Sequence, residues 1–89
     1  MIKITEIKPL PHYKLHIKYN DGVEGYLDLS EFAGKGVFKK FEDINYFNNV
    51  WVGDTGAPTW AEEIDIDLIN SYLKITGKTF EQFKNEIKN

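Results

Sequence analysis

The clearest pattern in the chain is an alternation of apolar and polar residues between positions 13 and 19. Successive side chains of a strand point to opposite faces, so alternate residues share one face. The apolar set is Tyr13, Leu15, Ile17 and Tyr19, and the polar set is Lys14, His16 and Lys18. The pattern predicts a strand with one face against a core and the other in water.

Two further strands are predicted beside this one. Residues 20–22 read Asn-Asp-Gly, and Asp-Gly between β-type segments is a strong hairpin signal because tight turns need positive φ angles. Residues 23–27 then return as a strand, and residues 2–10 supply the strand before. The alternation breaks at Glu6-Ile7, which predicts a β-bulge. The three segments predict an antiparallel meander.

Short elements are predicted in the middle of the chain. Residues 28–32 predict a helical turn capped by Asp28 or Ser30, whose side-chain oxygens can accept from free backbone N–H groups. A second short helix is predicted further on, because four apolar residues there fall at helical spacing. These residues are Val37, Phe38, Phe41 and Ile44.

A second hairpin is predicted after these turns. Residues 49–52 and 57–60 form its strands, and the segment Gly-Asp-Thr-Gly at 53–56 forms its turn. Pro58 has no backbone N–H to donate to a neighbouring strand. It therefore predicts a free edge or an irregularity in the returning strand.

Two helices are predicted at the end of the chain. Asp65 or Asp67 caps the first, Gly77 ends it, and Ser71 falls on its polar side. Its apolar stripe consists of Leu68, Ile69, Tyr72 and Leu73. The spacing of Thr79 and Gln82 predicts a capping box for the second helix.

On the second of these helices, Phe80, Phe83 and Ile87 are predicted to share an apolar face. The whole pattern predicts one α+β domain over residues 1–89. Its small antiparallel sheet consists of a three-stranded meander plus a short hairpin, accompanied by short helices and two C-terminal helices.

The ordered set of motifs resembles a bacterial family, domain of unknown function family 2442. The resemblance is carried by the segments 19–22, 28–29, 36–43, 50–52 and 64–66 and by the single residues Phe47, Gly56 and Trp60. The resemblance covers about residues 4–73 and leaves residues 76–89 as a helical extension. It implies a small α+β fold and a gene paired with another small gene, as in a toxin–antitoxin-like pair. It supplies no catalytic residues.

Composition narrows the functional classes. The chain has 89 residues, no cysteine and no arginine, and its net charge is −3. Without cysteine, disulfides and thiolate nucleophiles are excluded, and no apolar segment of about 18–20 residues predicts a membrane span. A cytoplasmic protein is expected. Sequence-specific DNA recognition is disfavoured, because arginine supplies the bidentate contacts that read phosphate and guanine.

The charges are distributed unevenly. Residues 42–73 contain seven acidic residues and no lysine. Two interpretations stay open: a solvated acidic surface, or a docking face for a basic partner such as the product of the neighbouring gene. For the second, the predicted contact residues are Trp60, Glu62, Glu63 and Asp65. The oligomeric state is not indicated.

Catalytic chemistry is not predicted. His12 and His16 would lie about 13 Å apart along a strand, too far to bind one metal directly. Ser30 is interpreted as a cap, and Ser71 lies within a helix. No cofactor or metal is expected, and the hypothesis is a non-enzymatic interaction or accessory module. The alternative is a nucleic-acid-binding regulatory accessory that uses the lysine-rich N-terminal strands.

Overall fold

The computed structural model describes residues 2–61 and 64–87 of the chain. Within them, the helices and strands follow the order β, β, β, 3₁₀, α, β, β, β, α, α. The strands are β1 (Ile4–Leu10), β2 (Lys14–Tyr19), β3 (Glu24–Asp28), β4 (Trp51–Val52), β5 (Pro58–Trp60) and β6 (Ile64–Asp65). The helices are the 3₁₀ helix Gly36–Glu42, α1 (Ile44–Asn48), α2 (Leu68–Thr76) and α3 (Phe80–Ile87). The predicted α+β class is confirmed.

The first sheet is the predicted meander, with the order β1-β2-β3 and antiparallel pairing throughout. The alternation along β2 is confirmed, because Leu15, Ile17 and Tyr19 are buried while the residues between them are not. The predicted irregularity in β1 is also present, as a register shift between Ile4 and Glu6.

The turn between β2 and β3 is the predicted one. Gly22 has a φ of 91°, and its N–H donates to the carbonyl of Tyr19 over 3.1 Å. The Tyr19 N–H donates to Val23 over 2.8 Å. The Asp-Gly pair thus reverses the chain because glycine adopts the left-handed conformation without strain.

Tyr13 was predicted as the first residue of β2, and the structure places it in the preceding turn. Both His12 and Tyr13 have positive φ angles, 64° and 60°. Tertiary contacts hold this conformation: the Tyr13 carbonyl accepts from Leu29 over 2.8 Å, and its ring packs edge-on against Phe47 at 5.4 Å. A local alternation pattern contains no information on such contacts.

The second sheet contains the predicted hairpin and one further strand, in the order β4-β5-β6. The prediction of a free edge at Pro58 was wrong, because β5 is the central strand. Pro58 is the first residue of β5 and lies opposite Ile66, the residue after β6. Its carbonyl accepts from the Ile66 N–H over 3.0 Å, so proline omits only the return bond at the end of the ladder, a position that it tolerates.

The predicted helical turn at residues 28–32 is a series of turns without a helix. Asp28 still accepts from the Ser30 N–H through Oδ1 over 2.9 Å, as a capping side chain would. The predicted second helix divides into the 3₁₀ helix and α1. Asp43 separates the two, and its Oδ1 accepts from the Asn45 N–H over 3.0 Å to cap α1.

The ends of α2 are the predicted ones. Asp67 Oδ2 accepts from the Asn70 N–H over 3.1 Å, and Gly77 closes the helix with a φ of 74°. The predicted polar position of Ser71 was wrong, since this residue is completely buried. The apolar pattern predicts which face of the helix is buried, and it misses a hydroxyl that has buried partners.

The capping box of α3 is confirmed by two reciprocal bonds. The Thr79 N–H donates to Gln82 Oε1 over 2.9 Å, and the Gln82 N–H donates to Thr79 Oγ1 over 3.1 Å. Phe83 is buried against Tyr72. Phe80 is 61% exposed, so the prediction of a shared buried face holds for Phe83 and fails for Phe80. The side chain of Ile87 lies outside the described part of the chain.

An aromatic cluster occupies the centre of the core. The ring of Phe41 lies 4.6 Å from that of Trp60 and 5.1 Å from that of Phe47. Edge-on and tilted ring pairs at these distances are favourable beyond the area they bury. No helix in the described ranges is long and apolar enough to cross a membrane.

Candidate interaction site

The outer face of the second sheet carries an exposed tryptophan among acidic residues. Trp51 pairs with Thr59, and Thr59 pairs with Asp65. Residues directly opposite each other in a sheet share a face, so these three side chains form one row. Asp54 and Thr55 of the β4–β5 turn border the same depression, which has a volume of about 490 Å³. We call these five residues the Trp51 face.

The backbone of the β4–β5 turn holds this face in place. The Gly53 N–H donates to Ala57 over 3.0 Å, and the Gly56 N–H donates to Gly53 over 2.9 Å. A Cβ atom at Gly53 would collide with the Thr59 hydroxyl. Gly56 has a φ of 84°, a conformation that favours glycine. Glycines at both positions allow the turn to approach β5 closely.

Trp60, predicted as a contact residue, lies on the opposite side of the same sheet. Its side chain is 0% exposed, and its indole N–H donates to the Phe47 carbonyl over 2.9 Å. The next residue, Ala61, accepts from the Tyr46 hydroxyl over 2.6 Å. Trp60 therefore supports the Trp51 face from beneath and offers a partner no side-chain surface.

The other predicted contact residues fall into two groups. Asp65 is exposed and belongs to the Trp51 face. Glu62 and Glu63 lie outside the described residues. Their proposed role in partner binding therefore stays a prediction.

Trp51 was missed by sequence reasoning, because the predicted four-residue turn at 53–56 would pair Trp51 with Pro58 and place it on the same face as Trp60. The observed register differs by one residue: the Gly53 N–H bonds to Ala57, and Trp51 pairs with Thr59, the residue before Trp60. Because adjacent residues of a strand point to opposite faces, the two tryptophans must lie on opposite sides. Once Trp60 is assigned to the core, Trp51 is the exposed one.

The Trp51 face has a one-sided charge. Its ionisable members are Asp54 and Asp65, and the surrounding sequence from 42 to 73 contains no lysine. Metal binding is not indicated here, because the described residues contain no group of three or more His, Asp or Glu side chains suited to hold an ion. An aromatic ring beside carboxylates is instead suited to a cationic side chain, through cation–π contact and ion pairing.

A family model described as "Protein of unknown function (DUF2442)" matches residues 4–74. The chain belongs to this family. The match confirms the resemblance seen in the sequence and includes the whole Trp51 face. Helix α3 lies beyond the matched segment. Comparisons with curated proteins and with solved structures found no significant match.

The outer face of the first sheet in this DUF2442 protein has a different character. Its strand residues carry equal numbers of lysines and carboxylates, namely Lys8, Lys14, Lys18, Glu6, Glu24 and Asp28. Lys18 Nζ lies 3.9 Å from Glu6, and His16 Nε2 lies 2.9 Å from Glu24. His16 lies on this outer face, and His12 lies in the turn before β2. The alternating charges leave no cationic stripe on these strands.

Polar side chains connect the first sheet of the DUF2442 domain to α2. The Ser71 hydroxyl donates to the Leu68 carbonyl over 2.7 Å. Since a hydroxyl has one proton, Tyr19 is the donor in its 2.8 Å bond to Ser71. The Tyr72 hydroxyl donates to Asp21 Oδ2 over 2.6 Å. These buried and half-buried groups satisfy one another's hydrogen bonds.

The pKa shifts in this DUF2442 protein have structural causes. Burial raises the pKa of Tyr19. Burial acts to raise the pKa of Asp21 as well, but hydrogen bonds from Tyr72 and from the Val23 N–H, together with the charge of Lys78, outweigh it and lower that pKa. The lowered pKa of Asp21 thus reflects, in part, the hydrogen bond that attaches the β2–β3 turn to Tyr72 of α2.

Proposed function

We propose that this protein is a cytoplasmic, non-enzymatic interaction module whose Trp51 face binds a basic segment of a protein partner. The observation that supports the proposal is the 46% exposure of Trp51 in a depression bordered by Asp54 and Asp65. Tryptophan is enriched among the residues that contribute most to protein–protein binding. A side chain of this size at the surface has a large apolar area to bury.

The chemistry of the face defines the partner. A lysine or arginine above the Trp51 indole gains a cation–π contact, and the two aspartates supply opposite charge beside it. Asp54 and Asp65 belong to the acidic stretch that also contains Glu62 and Glu63. We therefore expect an electrostatically steered association that weakens as salt increases.

The first partner we propose is the product of the adjacent gene. A toxin–antitoxin-like gene pair, implied by the family resemblance, would make this chain the antitoxin-like member. The proposal draws its support from the Trp51 face alone, and the gene pair only names the partner to test first.

The test is co-expression with the adjacent gene product, followed by calorimetric titration of the purified pair. Trp51→Ala should weaken binding at least tenfold, which corresponds to about 1.4 kcal/mol. The matched control is Tyr26→Ala, which removes a 67% exposed aromatic from the outer face of the first sheet. Unchanged affinity in Trp51→Ala, or an equal loss in both variants, would refute the proposed site.

Charge is tested in the same titration. Asp65→Lys should weaken binding and reduce its salt dependence, and so should the double reversal Glu62→Lys with Glu63→Lys. Lys18→Glu on the first sheet changes net charge by the same amount as one aspartate reversal, in the opposite direction, and serves as control. If Lys18→Glu strengthens binding as much as Asp65→Lys weakens it, long-range net charge rather than the Trp51 face determines binding.

A second candidate function is nucleic-acid binding by the outer face of the first sheet. The observation in its favour is the contact between the rings of Tyr26 and His16, whose centroids lie 5.2 Å apart on an open strand surface. Exposed aromatic rings can stack on bases. A shift assay with single- and double-stranded DNA at low salt tests it, because phosphate contacts are strongest there. Absence of a shift at low salt excludes this function.

A further inference from the structure

A groove lies between α2 and the segment that runs from β3 into the following turns. Its volume is about 380 Å³, at the lower end of the range of small-molecule sites. Leu27 and Leu29 form its buried floor, and Phe32 and Leu73 form apolar walls. It shares no lining residue with the Trp51 face, so it is independent of the proposed function.

The rim of the groove is cationic. Lys74 Nζ lies 4.9 Å from the centroid of the Phe32 ring and 3.6 Å from Glu31 Oε1. Lys78 also lines the groove, with its Nζ 5.7 Å from the Tyr72 centroid. Each lysine therefore has its ammonium group near an aromatic ring, Phe32 in the groove lining and Tyr72 outside it. Asp67, the one carboxylate in the lining, is engaged as the cap of α2.

We propose that this groove binds an amphipathic monocarboxylate, with its apolar body against the half-buried Phe32 and Leu73 and its carboxylate against Lys74. Apolar surface that borders water is favourably covered by hydrocarbon, and Phe32 and Leu73 provide such surface in this groove. Ser71, a buried residue of the lining, makes both of its hydroxyl hydrogen bonds within the fold. The walls thus favour hydrocarbon, and the lysines at the rim favour a negatively charged head group.

The ion pair of Lys74 with Glu31 does not prevent this. The Lys74 side chain is 52% exposed and that of Glu31 is 67% exposed, and such pairs contribute little to stability. A ligand carboxylate can replace Glu31 beside the ammonium group. Glu31 is then a competitor for Lys74, so its removal should strengthen carboxylate binding.

The test is a titration of the ¹⁵N-labelled full chain with octanoate, in which amide chemical shifts are measured. Octan-1-ol and octylamine, which have the same chain length, are titrated for comparison. Octanoate should bind saturably and shift the amides of Leu29, Phe32 and Leu73. Lys74→Met should weaken octanoate binding roughly three- to tenfold and leave octan-1-ol unchanged. Glu31→Gln should strengthen octanoate binding about two- to threefold.

Two further variants complete the design. Asn70→Trp, at an exposed lining position of α2, should block the groove and abolish the octanoate shifts. Lys39→Met, on the 3₁₀ helix away from the groove, should leave octanoate affinity unchanged.

Three results would overturn the proposal. They are equal affinity for the three probes, shifts outside the groove, and groove signals that change with protein concentration alone, which would indicate a second copy of the chain as occupant.

Discussion

The two sheets of this domain are built on different principles. The first has strands of seven, six and five residues with an inner face of apolar side chains, and its outer face is a lattice of opposite charges. The second has strands of two, three and two residues, and its outer face presents Trp51 between aspartates. Extended strands supply the scaffold, and the short sheet presents a distinctive surface.

Each sheet is attached to a different helix. Tyr19 and Asp21 attach the first sheet to α2 through Ser71 and Tyr72. The second sheet is attached to α1, where Trp60 donates to the Phe47 carbonyl and Tyr46 donates to that of Ala61. Strands of two residues make too few ladder bonds to persist alone. The second sheet therefore depends on these attachments more than the first does.

The largest expected effect is at Trp60. Trp60→Ala should lower the free energy of unfolding by about 3–5 kcal/mol, because it removes the largest fully buried side chain and its contact with Phe41. Chemical denaturation measures the change. Trp60→Phe keeps ring contact but loses the bond to Phe47, so it should fall between the wild type and the alanine variant.

Trp51→Ala is the matched control for this comparison, since Trp51 is the only other tryptophan in the chain. It should destabilise the fold much less than Trp60→Ala. A loss below about 1 kcal/mol in Trp60→Ala would contradict the assignment of Trp60 as the anchor of the second sheet.

The next effect concerns the attachment of the first sheet. Ser71→Ala removes the acceptor of the buried Tyr19 hydroxyl, and an unsatisfied buried donor costs about 1–3 kcal/mol. Denaturation of Ser71→Ala, Tyr19→Phe and the double variant measures the coupling between the two residues. The double variant should be less destabilised than the sum of the single variants. Additive losses would mean that the two hydroxyls do not interact in solution.

The first sheet was predictable from sequence for a physical reason. Its long alternating strand and the Asp-Gly turn are local signals, and both specify the same register. The second sheet was predicted only in part. β6 has two residues, and its pairing depends on Trp60 being held in the core. A strand of that length leaves no periodic pattern.

The candidate site was likewise predictable only in part. The acidic character of residues 42–73 and the inclusion of Asp65 followed from charge in the sequence. The choice between the two tryptophans required the register of β4 and β5. Hydrophobicity treats the two residues alike, and only strand pairing distinguishes the buried one from the exposed one. The groove beside α2 joins residues distant in sequence and has no sequence signal.

A smaller effect is expected from pH at the β2–β3 turn. The lowered pKa of Asp21 means that its charged form stabilises the fold above the ordinary carboxyl pKa of about 3.9. This contribution is lost as pH falls through the lowered value. We expect it to be about 1 kcal/mol, since the acceptor is largely exposed. Denaturation between pH 7 and pH 2 measures it, with Asp21→Asn as control. A difference between the two proteins that does not change with pH would refute this role.

The smallest expected change in stability comes from a residue on the exposed face of β2, and it is compared with a residue on the buried face of the same strand. Lys18 on β2 makes an exposed ion pair with Glu6 over 3.9 Å, and its neighbour Ile17 is fully buried. Exposed pairs contribute about 0–1 kcal/mol and are screened by salt. Lys18→Met should therefore change the free energy of unfolding by less than about 0.5 kcal/mol at moderate salt, while Ile17→Ala costs about 2–5 kcal/mol.

If Lys18→Met has this small effect, the opposite charges on the outer face of the first sheet favour the strand register and contribute little to the free energy of unfolding. A large loss of stability in Lys18→Met would instead mean that the charged side chains on the outer face of the first sheet act as a cooperative network. In that case denaturation should show a loss well above 0.5 kcal/mol that disappears as salt is added. The two sheets would then differ in their stabilising interactions as well as in their surfaces, because among the described strand residues only the first sheet has opposite charges facing one another across its strands.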